Sequence, residues 1–444
     1  MKKMLAIVLT LVMMLSCLSI ATAETNVWDP ATAKIDWKQF AGTELRLYML
    51  QHMVTQAIEP YLGEFEELTG MKVNLETLPE SDYNSKMLIE LNSGSDNPFD
   101  ICMVSSGSNF ASGNWLVDLT QFIENPALTD KEWYNMDDIF PSAINYGTWN
   151  GVFHAIPFSA EYQIMYYRKD ILDKYGIEVP TTLEELAAAC EKVYDPANNQ
   201  YAIVARLKKG VGTDVIYNNF LSAYGGEFIK RNEDGELICQ LGSQAAIDAA
   251  DYYMGLLSKY GAPGQINYGY SEAITEFMQG NAVFFIDSTS FIGQILNPEE
   301  SKVIGKVGYA PVPAGPAGPD SPLHFSHWQL TLGPKSNNKE AAWLFLQWVT
   351  SSDLIKRCGL AMGTSTRQSL YDSEEYKAQY DQAFIDALLN GAGRGLRIEG
   401  WNYPCWSGSR DFEVQGLQEI YEGASAAEVM PRVADQITDI FYGY

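Results

Sequence analysis

Residues 43–50, TELRLYML, predict a β-strand, and the residues that follow predict how this strand is packed. Apolar residues between positions 58 and 68 mark one face of a helix, which Gly70 ends. Residues 72–76 predict a second strand, and residues 99–104 predict a short apolar strand of the kind that a buried parallel sheet uses. Strands and helices alternate in this way along the whole chain, which predicts an α/β fold with crossover helices.

The later part of the chain continues this alternation. Residues 182–185 form a capping box that opens a helix, and residues 425–428 form a second one that opens the last helix. Residues 281–286 predict a strand, and residues 339–349 predict a helix. We find no internal repeat, and the Pro/Gly-rich residues 311–322 predict a surface loop rather than an interdomain linker.

The length and composition of the chain indicate a globular protein with two domains. At 444 residues it is too long for one ordinary core, and two domains of about 200 residues are expected. Apolar residues make up 46% and charged residues 19%, which is a globular profile. The formal net charge of −26 disfavours nucleic acid as a partner, because an acidic surface repels phosphate backbones. It also weighs against strongly anionic ligands.

The N-terminal residues predict a targeting segment. Two lysines precede an uncharged, almost wholly apolar run over residues 4–20, and residues 21–23, ATA, supply the small residues that signal peptidase reads. We therefore expect a signal peptide over residues 1–23 and a mature protein outside the cytoplasm, whether secreted, periplasmic or bound to the cell surface. A membrane anchor is the alternative, but the run is short for a span and no basic stop-transfer cluster follows it.

The cysteines indicate no disulfide framework. Residues 14–17 form a degenerate lipobox, so lipid attachment at Cys17 stays open, and it would tether the protein to the outer face of the membrane. Six cysteines are sparse for so long a chain, and an odd number remains after cleavage. Cys102 is expected to be a buried thiol, and Cys358 with Cys405 is the one pairing we consider. No spacing resembles a zinc site, and we expect neither a metal nor a cofactor.

The sequence carries no motif of an enzyme. It contains no nucleophile elbow, zinc motif, phosphate loop or dinucleotide fingerprint. A secreted glycan-acting enzyme is the alternative, but such enzymes need two carboxylates that flank the scissile bond, and no Asp or Glu stands in such a motif. We therefore expect binding without catalysis.

Six short segments share a pattern with one known family. They are residues 97–101 (NPFDI), 116–120 (LVDLT), 150–157 (NGVFHAIP), 166–172 (YYRKDIL), 180–186 (PTTLEEL) and 338–346 (NKEAAWLFL). In this order they resemble the carbohydrate-type extracellular solute-binding proteins of ABC importers (family 1, maltose-binding-protein-like). Two positions depart from the family pattern, since Phe153 stands where tyrosine is usual and His154 where glycine is usual. The likeness runs from about residue 43 to residue 441 and is poorest between residues 373 and 409.

The resemblance implies a two-lobed periplasmic-binding-protein-like fold of type II, with the ligand cleft between the lobes. It implies hinge crossovers near residues 159–161, 326–328 and 367–370. It places lobe 1 at residues 24–160 with 327–367 returning to it, and lobe 2 at residues 161–326 with 368–444 returning to it.

The resemblance also implies a function. The lobes would close by hinge bending on a carbohydrate or polyol, and the protein, which we expect to be a monomer, would deliver this solute to the permease subunits of an ABC transporter. A non-sugar solute, such as a peptide, a polyamine or a phosphorylated solute, is one alternative. A sensor or adhesion module of the same fold is another.

A sugar presents hydroxyls and C–H faces, so its site needs polar side chains and aromatic rings. In open α/β sheets these groups follow the carboxyl ends of strands. The candidates in the first part of the chain are Gln51, His52, Ser105, Ser106, Asn109 and Trp115. The alternatives are a solvated loop for Gln51 and His52, and packing against the lobe for Trp115.

Further candidates come from the hinge and the second lobe. Glu161 matches the hinge carboxylate that accepts sugar hydroxyls in the family, and Tyr162 follows it. A hinge carboxylate paired within the protein is the alternative. The candidates in the second lobe are Tyr217, Asn218, Asp287, Ser288 and Thr289. Asp287 is expected to accept hydroxyls at a place where the family often has an aromatic residue.

Two bulky residues stand at the predicted crossing near residues 326–328. The family typically has glycines there, so His327 and Trp328 are expected to narrow the cleft and to favour a monosaccharide, a disaccharide or a polyol. Arg367 ends a segment, residues 363–367, that resembles the G-x-x-P-x-R turn of the family without its proline.

The last candidates are aromatic residues near the C-terminus. Trp401, Tyr403 and Trp406 lie in a Gly/Pro/Ser-rich stretch that is not shaped like a helix, so we expect at least one ring to stack on the ligand. No obvious cluster of Lys and Arg lies in the segments assigned to the cleft, which argues against a phosphorylated ligand.

Overall fold

The structure is a computed structural model. It describes residues 29–92, 98–105, 110, 115–209, 212–396, 400, 403 and 405–442, apart from the side chains of Glu80, Ser81, Asn84 and Ser407. The predicted signal peptide, Cys17 and three predicted site residues, Ser106, Asn109 and Trp401, lie outside the described residues. Every helix within the described ranges is too short or too polar to span a bilayer.

Short strands and longer helices alternate through the described chain. The strands are β1 Glu44–Leu50, β2 Lys72–Leu78, β3 Ile101–Val104, β4 Thr148–Trp149, β5 Val152–Phe153, β6 Ile156–Glu161, β7 Gln163–Arg168, β8 Tyr201–Val204, β9 Ile229–Arg231, β10 Leu237–Cys239, β11 Ala282–Ser288, β12 Val307–Pro311, β13 Leu323–His324, β14 Ser326–Leu332 and β15 Gly395–Leu396. The α-helices are α1 Met53–Ile58, α2 Leu62–Thr69, α3 Glu80–Asn92, α4 Thr120–Ile123, α5 Lys131–Tyr134, α6 Pro141–Tyr146, α7 Lys169–Tyr175, α8 Leu183–Val193, α9 Thr213–Ala223, α10 Gln244–Tyr260, α11 Tyr270–Met278, α12 Ile292–Ile295, α13 Lys339–Val349, α14 Ser352–Met362, α15 Gln368–Asp372, α16 Glu374–Gln379, α17 Gln382–Arg394, α18 Trp406–Tyr421 and α19 Ala426–Phe441. Single 3-10 turns lie at Pro30–Thr32, Glu59–Tyr61, Met136–Asp138, Pro196–Asn198, Gln265–Asn267 and Thr289–Phe291.

Two sheets organise these elements. The first orders its strands β2-β1-β3-β14-β6, and the second β12-β7-β11-β8. In the first sheet β1 is parallel to β2 and β3, whereas β14 is antiparallel to β3 and β6. In the second, β8 is parallel to β11, and β7 is antiparallel to β11 and β12. The strands predicted at residues 43–50, 72–76, 99–104 and 281–286 are confirmed with small shifts at their ends.

Local sequence explains where several helices begin and end. The helix predicted over residues 58–68 is interrupted by a 3-10 turn at Pro60, because proline has no N–H to donate within a helix. Gly70 ends α2 as predicted, with a left-handed φ of 72°. Thr182 and Glu185 make both hydrogen bonds of the predicted capping box. The box predicted at residues 425–428 does not form, although the helix begins there, because the Glu428 amide donates to the Ser425 carbonyl instead.

Two separate hydrophobic cores form around the two sheets. The first gathers buried residues between Trp37 and Phe158 and between Leu330 and Met362. The second gathers buried residues between Tyr146 and Phe325 and between Leu370 and Phe441. The chain therefore passes between the cores three times, between β6 and β7, between β12 and β14, and between α14 and α15. We call the units lobe 1 and lobe 2; the residue boundaries given above stay a prediction.

The described cysteines are free thiols. Cys102 is buried in β3, as predicted. Cys358 is directed at the carbonyl of Ala57 at 3.3 Å in lobe 1, whereas Cys405 packs against the core of lobe 2. The Cys358–Cys405 pairing therefore does not form, because the two side chains belong to different cores.

Candidate ligand-binding cleft

One end of the first sheet meets one end of the second sheet at the first chain crossing. At this crossing β6 ends at Glu161, which pairs with Ser326 at the start of β14. The next residue, Tyr162, accepts a hydrogen bond from the backbone amide of Thr289, which directly follows β11, at 2.7 Å. The carboxyl ends of β6 and β11 therefore lie together between the lobes, where an α/β fold places its ligand.

A bidentate ion pair lies on the lobe 2 side of this region. Arg206, which follows β8, donates through Nε to Asp287 Oδ2 at 2.8 Å and through Nη2 to Asp287 Oδ1. Asp287 is fully buried, whereas 13% of the Arg206 side chain is exposed. The guanidinium carbon lies 5.4 Å from the centre of the Phe291 ring. Gly212, which has a left-handed φ of 81°, lies at its other edge, where an added Cβ would lie 2.8 Å from Nη1. The guanidinium is thus held in one orientation.

A second ion pair joins the first turns of two helices beside it. Arg410 of α18 binds Asp214 of α9 through Nη2–Oδ1 and Nε–Oδ2 contacts, both 2.8 Å long. The Asp214 side chain is 1% exposed and that of Arg410 24%. Burial lowers the pKa of Arg206, but the carboxylates of Asp287, Glu161 and Asp214 outweigh this effect and raise the pKa above its ordinary value. Glu161 and both ion pairs therefore form one electrostatic group, which we call the charged group.

Glu413 lies behind this group and is completely buried in α18. The Asn218 amide donates to Glu413 Oε1 at 2.9 Å and to the Asp214 carbonyl at 2.8 Å. Burial, together with the nearby Asp214 carboxylate, raises the pKa of Glu413 well above its usual range. Glu413 therefore lies outside the charged group, which consists of three carboxylates and two guanidiniums.

The lobe 1 side of the cleft carries two rings. His52 caps α1, since its Nδ1 accepts the Val54 amide at 3.2 Å, and this leaves Nε2 as the donor of the neutral ring. Burial lowers the pKa of His52 to about 4, so the ring is neutral at pH 7. Its centre lies 4.7 Å from that of the half-buried Trp328. The pair offers an apolar surface together with one hydrogen-bond donor.

Three other lobe 1 candidates contribute less. Gln51 is exposed, and its backbone N–H donates to the Leu78 carbonyl. The backbone carbonyl of Ser105 accepts the Tyr146 hydroxyl at 2.9 Å. Trp115 is half-buried and packs against the core of lobe 1, which was the alternative to stacking on a ligand.

The remaining hinge candidates are buried. Tyr162 packs against the rings of Phe325 and His327. His327 donates from Nδ1 to the Ser159 carbonyl at 2.8 Å, and it is wholly buried. The Thr289 hydroxyl accepts the Tyr162 amide at 3.2 Å. These residues therefore build the crossing.

Other predicted residues pack away from the charged group or support it. The Tyr217 hydroxyl donates to the Ala246 carbonyl inside the core of lobe 2. The Ser288 hydroxyl is hydrogen-bonded to that of Ser290 at 2.8 Å. Trp406 begins α18, where a non-helical stretch was expected, and its ring packs against Phe228 at 5.1 Å. Three of the donor groups of Arg367, Nε, Nη1 and Nη2, reach backbone carbonyls of lobe 1.

Sequence reasoning missed Arg206 and Arg410 and expected no cluster of Lys and Arg in the segments assigned to the cleft. The rule that site residues follow strands would have found Arg206, which stands two residues beyond β8, but no strand was predicted there. Arg410 carries no such signal, since its partner Asp214 is 196 residues away in the chain. Both guanidiniums are paired with carboxylates within the protein.

Acid is expected to weaken the fold through two buried histidines. Burial lowers the pKa of His324 and of His327 from the ordinary value of 6.5 to about 4. The unfolded chain binds protons at these rings below about pH 6.5, and the folded protein does so only near pH 4. The free energy of unfolding is therefore unaffected by these histidines above pH 6.5 and falls as the pH is lowered from 6.5 towards 4. Each histidine lowers it by about 1.4 kcal/mol for each pH unit in this range.

Thermal unfolding between pH 7.5 and 4.5 measures this loss. A double variant, His324→Asn with His327→Gln, should show a flatter decline of the melting temperature than the wild type. If the melting temperatures of the two proteins declined equally with falling pH, His324 and His327 would not be the cause of the acid sensitivity.

The chain is similar in sequence to one known protein family and to binding proteins for polyols. The sequence model of one family, described as bacterial extracellular solute-binding protein, matches residues 53–354. The erythritol/L-threitol-binding protein of Mycolicibacterium smegmatis is 27% identical over 432 residues, which cover 93% of this chain and 89% of that protein. The mannitol-binding protein of Pseudomonas aeruginosa is 30% identical over 256 residues, or 55% of this chain and 57% of that one.

A solved structure is similar along almost its whole length. It is an ABC transporter solute-binding protein from Agrobacterium radiobacter in complex with ribitol. The two structures superpose with a TM-score of 0.77 at 23% identity, over 90% of this chain and 99% of that chain. This likeness confirms the predicted two-lobed fold.

Proposed function

Because the chain belongs to the family of bacterial extracellular solute-binding proteins, we propose that it captures a polyol or a small sugar between its two lobes and passes it to an ABC transporter. The signal peptide over residues 1–23 would direct it out of the cytoplasm, and Cys17 would add a lipid anchor if it is modified. The protein would act as a monomer beside the permease subunits, and it would bind its solute without changing it.

The charged group is the observation that carries this proposal. A guanidinium held by a carboxylate still presents N–H donors, and Glu161 beside it presents a carboxylate acceptor. Hydroxyl groups both donate and accept, so one neutral polyol satisfies both kinds of group. An anion would need a cation that is not already paired, and both guanidiniums are paired within the protein.

The rings complete the match to a hydroxylated carbon chain. His52 and Trp328 present apolar surface for C–H groups on the lobe 1 side. The names of the two relatives, which are binding proteins for erythritol or L-threitol and for mannitol, favour the same ligand class. These observations favour a polyol over a peptide or a polyamine.

A calorimetric titration tests the proposal. The ligands are erythritol, L-threitol, ribitol, mannitol and maltose, with putrescine and glucose 6-phosphate as charged competitors. We expect one bound polyol or sugar per chain and no binding of the charged compounds. Recovery of unchanged ligand, checked by NMR, separates a carrier from a glycan-acting enzyme. Binding of a charged compound alone, or turnover of a glycan, would contradict the proposal.

Glu161→Ala is expected to weaken the binding of the preferred ligand by more than about tenfold, because a hydrogen bond to a charged acceptor contributes about 1.5–3 kcal/mol. Titration calorimetry of the two proteins measures the change. Glu374→Ala is the matched control, since Glu374 is 92% exposed and paired only with a neighbouring lysine on α16. Affinity that stays at the wild-type value in Glu161→Ala would remove Glu161 from the site.

A further inference from the structure

An aromatic contact joins the two lobes outside the charged group. The ring centres of Trp149 and Tyr403 lie 5.1 Å apart with an interplanar angle of 89°, which is an edge-to-face contact. Trp149 belongs to the hairpin of β4 and β5, and Phe153 of this hairpin packs against the core of lobe 1. Tyr403 packs against the core of lobe 2. The contact therefore crosses from one lobe to the other.

Both rings stand beside the cleft. Tyr146, in the helix that leads into the Trp149 hairpin, donates its hydroxyl to the carbonyl of Ser105, the residue that follows β3. On the opposite side, Tyr403 directly precedes α18, the helix that carries Arg410 of the charged group. The contact thus bridges the chain beside Ser105 in lobe 1 and the chain that leads into α18 in lobe 2, and we call this bridge the margin of the cleft.

Each ring is held by its own lobe. Trp149 pairs with Val152 across a two-residue turn whose residues, Asn150 and Gly151, both have positive φ, at 46° and 79°. These angles indicate a type I′ turn, the tight connection that suits a hairpin. The turn therefore fixes the position of Trp149 on lobe 1.

On lobe 2, the Tyr403 ring packs edge-on against Phe441 at 5.8 Å, and its hydroxyl accepts a hydrogen bond from Arg231. Neither ring can swing aside without losing these contacts. A ligand that extended past this margin would have to break the contact between the rings.

We propose that Trp149 and Tyr403 determine specificity by limiting the length of the ligand to a single polyol chain or one sugar ring. The inference rests on the proposed function, because it sets which members of that ligand class are accepted. On this proposal a single polyol chain is accepted beside the charged group, and a second sugar ring is stopped by the Trp149–Tyr403 contact. Removal of either ring opens this margin to a longer ligand.

Calorimetric titration of ribitol and maltose into four proteins tests the inference. The proteins are the wild type, Trp149→Ala, Tyr403→Ala and Tyr403→Phe, which keeps the ring and removes only the hydroxyl. We expect the wild type to prefer the polyol by about 100-fold or more, and each alanine variant to reduce this preference by at least about tenfold through stronger binding of maltose. Tyr403→Phe should keep the preference of the wild type.

The outcomes separate this inference from the function on which it rests. If the wild type bound maltose as tightly as ribitol, or if both alanine variants kept the preference of the wild type, size selection by these rings would be wrong while the polyol or sugar site stood. If the wild type bound no polyol and no sugar, both proposals would fall.

Discussion

Asp287→Ala is expected to lower the free energy of unfolding by about 3–5 kcal/mol, the usual cost of removing one partner from a buried ion pair. Arg206 would keep a mostly buried charge without its bidentate partner, and the pKa of its guanidinium would lose the strongest of the effects that raise it. Ligand affinity is expected to fall by about 100-fold or more, because the guanidinium would no longer be held in one orientation. Urea unfolding and titration calorimetry measure the two effects separately.

A double variant distinguishes the two roles of this pair. Replacing both members with apolar residues, as Arg206→Leu with Asp287→Leu, removes both charges, and such replacements are often neutral or stabilising. The double variant should therefore regain most of the lost stability and still fail to bind the polyol. Full binding by the double variant would show that Arg206 does not contact the ligand.

Arg367→Ala is expected to destabilise the protein by about 3–5 kcal/mol and to leave ligand affinity almost unchanged. Arg367 is 1% exposed and donates to the carbonyls of Thr350, Asn135 and Tyr134 at 2.8, 2.8 and 2.9 Å. It also lies 3.3 Å from the Asp138 carboxylate. These contacts attach the third chain crossing to lobe 1, and their loss would leave several buried acceptors unpaired.

Arg367→Lys is the matched control for this prediction. A lysine keeps the charge but has a single ammonium, which cannot reach three carbonyls that surround a planar guanidinium. We expect it to restore little of the stability, as measured by urea unfolding, while calorimetry at low temperature shows affinity within about threefold of the wild type. A large loss of affinity in folded Arg367→Lys would return Arg367 to the ligand site.

Much of the fold was predictable because its signals are local. The capping box at residues 182–185 and the stop at Gly70 involve partners within one helical turn, and both formed as predicted. The interruption at Pro60 also has a local cause, because proline lacks the N–H that a helix needs. The prediction of a single helix over residues 58–68 did not take this into account. The capping box predicted at residues 425–428 shows that a local pattern is not always sufficient. The Glu428 backbone N–H donates to the Ser425 carbonyl and not to the Ser425 hydroxyl.

The candidate site was predictable only in part. His52 was chosen because it follows a strand, Glu161 because it matches a family position, and Tyr403 because it is an aromatic residue in a predicted loop. Trp328 was chosen as a bulky residue at a crossing where the family typically has glycines. Asp287 was chosen as a hydroxyl acceptor, but its oxygens hold Arg206. Arg367 was chosen by its family position, but it is directed into lobe 1. In each of these two cases the residue was noticed, and its partner decided its role.

The sequence by itself determined the class of the fold and the alternation of strands and helices, since these depend on spacings that repeat within a few residues. It also determined the family, through six short segments that follow one another in the order of the family pattern. Only the tertiary structure decided which side chains meet at the cleft. Asp287 finds Arg206 across 81 residues and Asp214 finds Arg410 across 196, after two sheets have brought their strand ends to one crossing. The physical reason is that a charge can be buried only beside its counter-charge, and no local pattern in a chain records which distant residue supplies it.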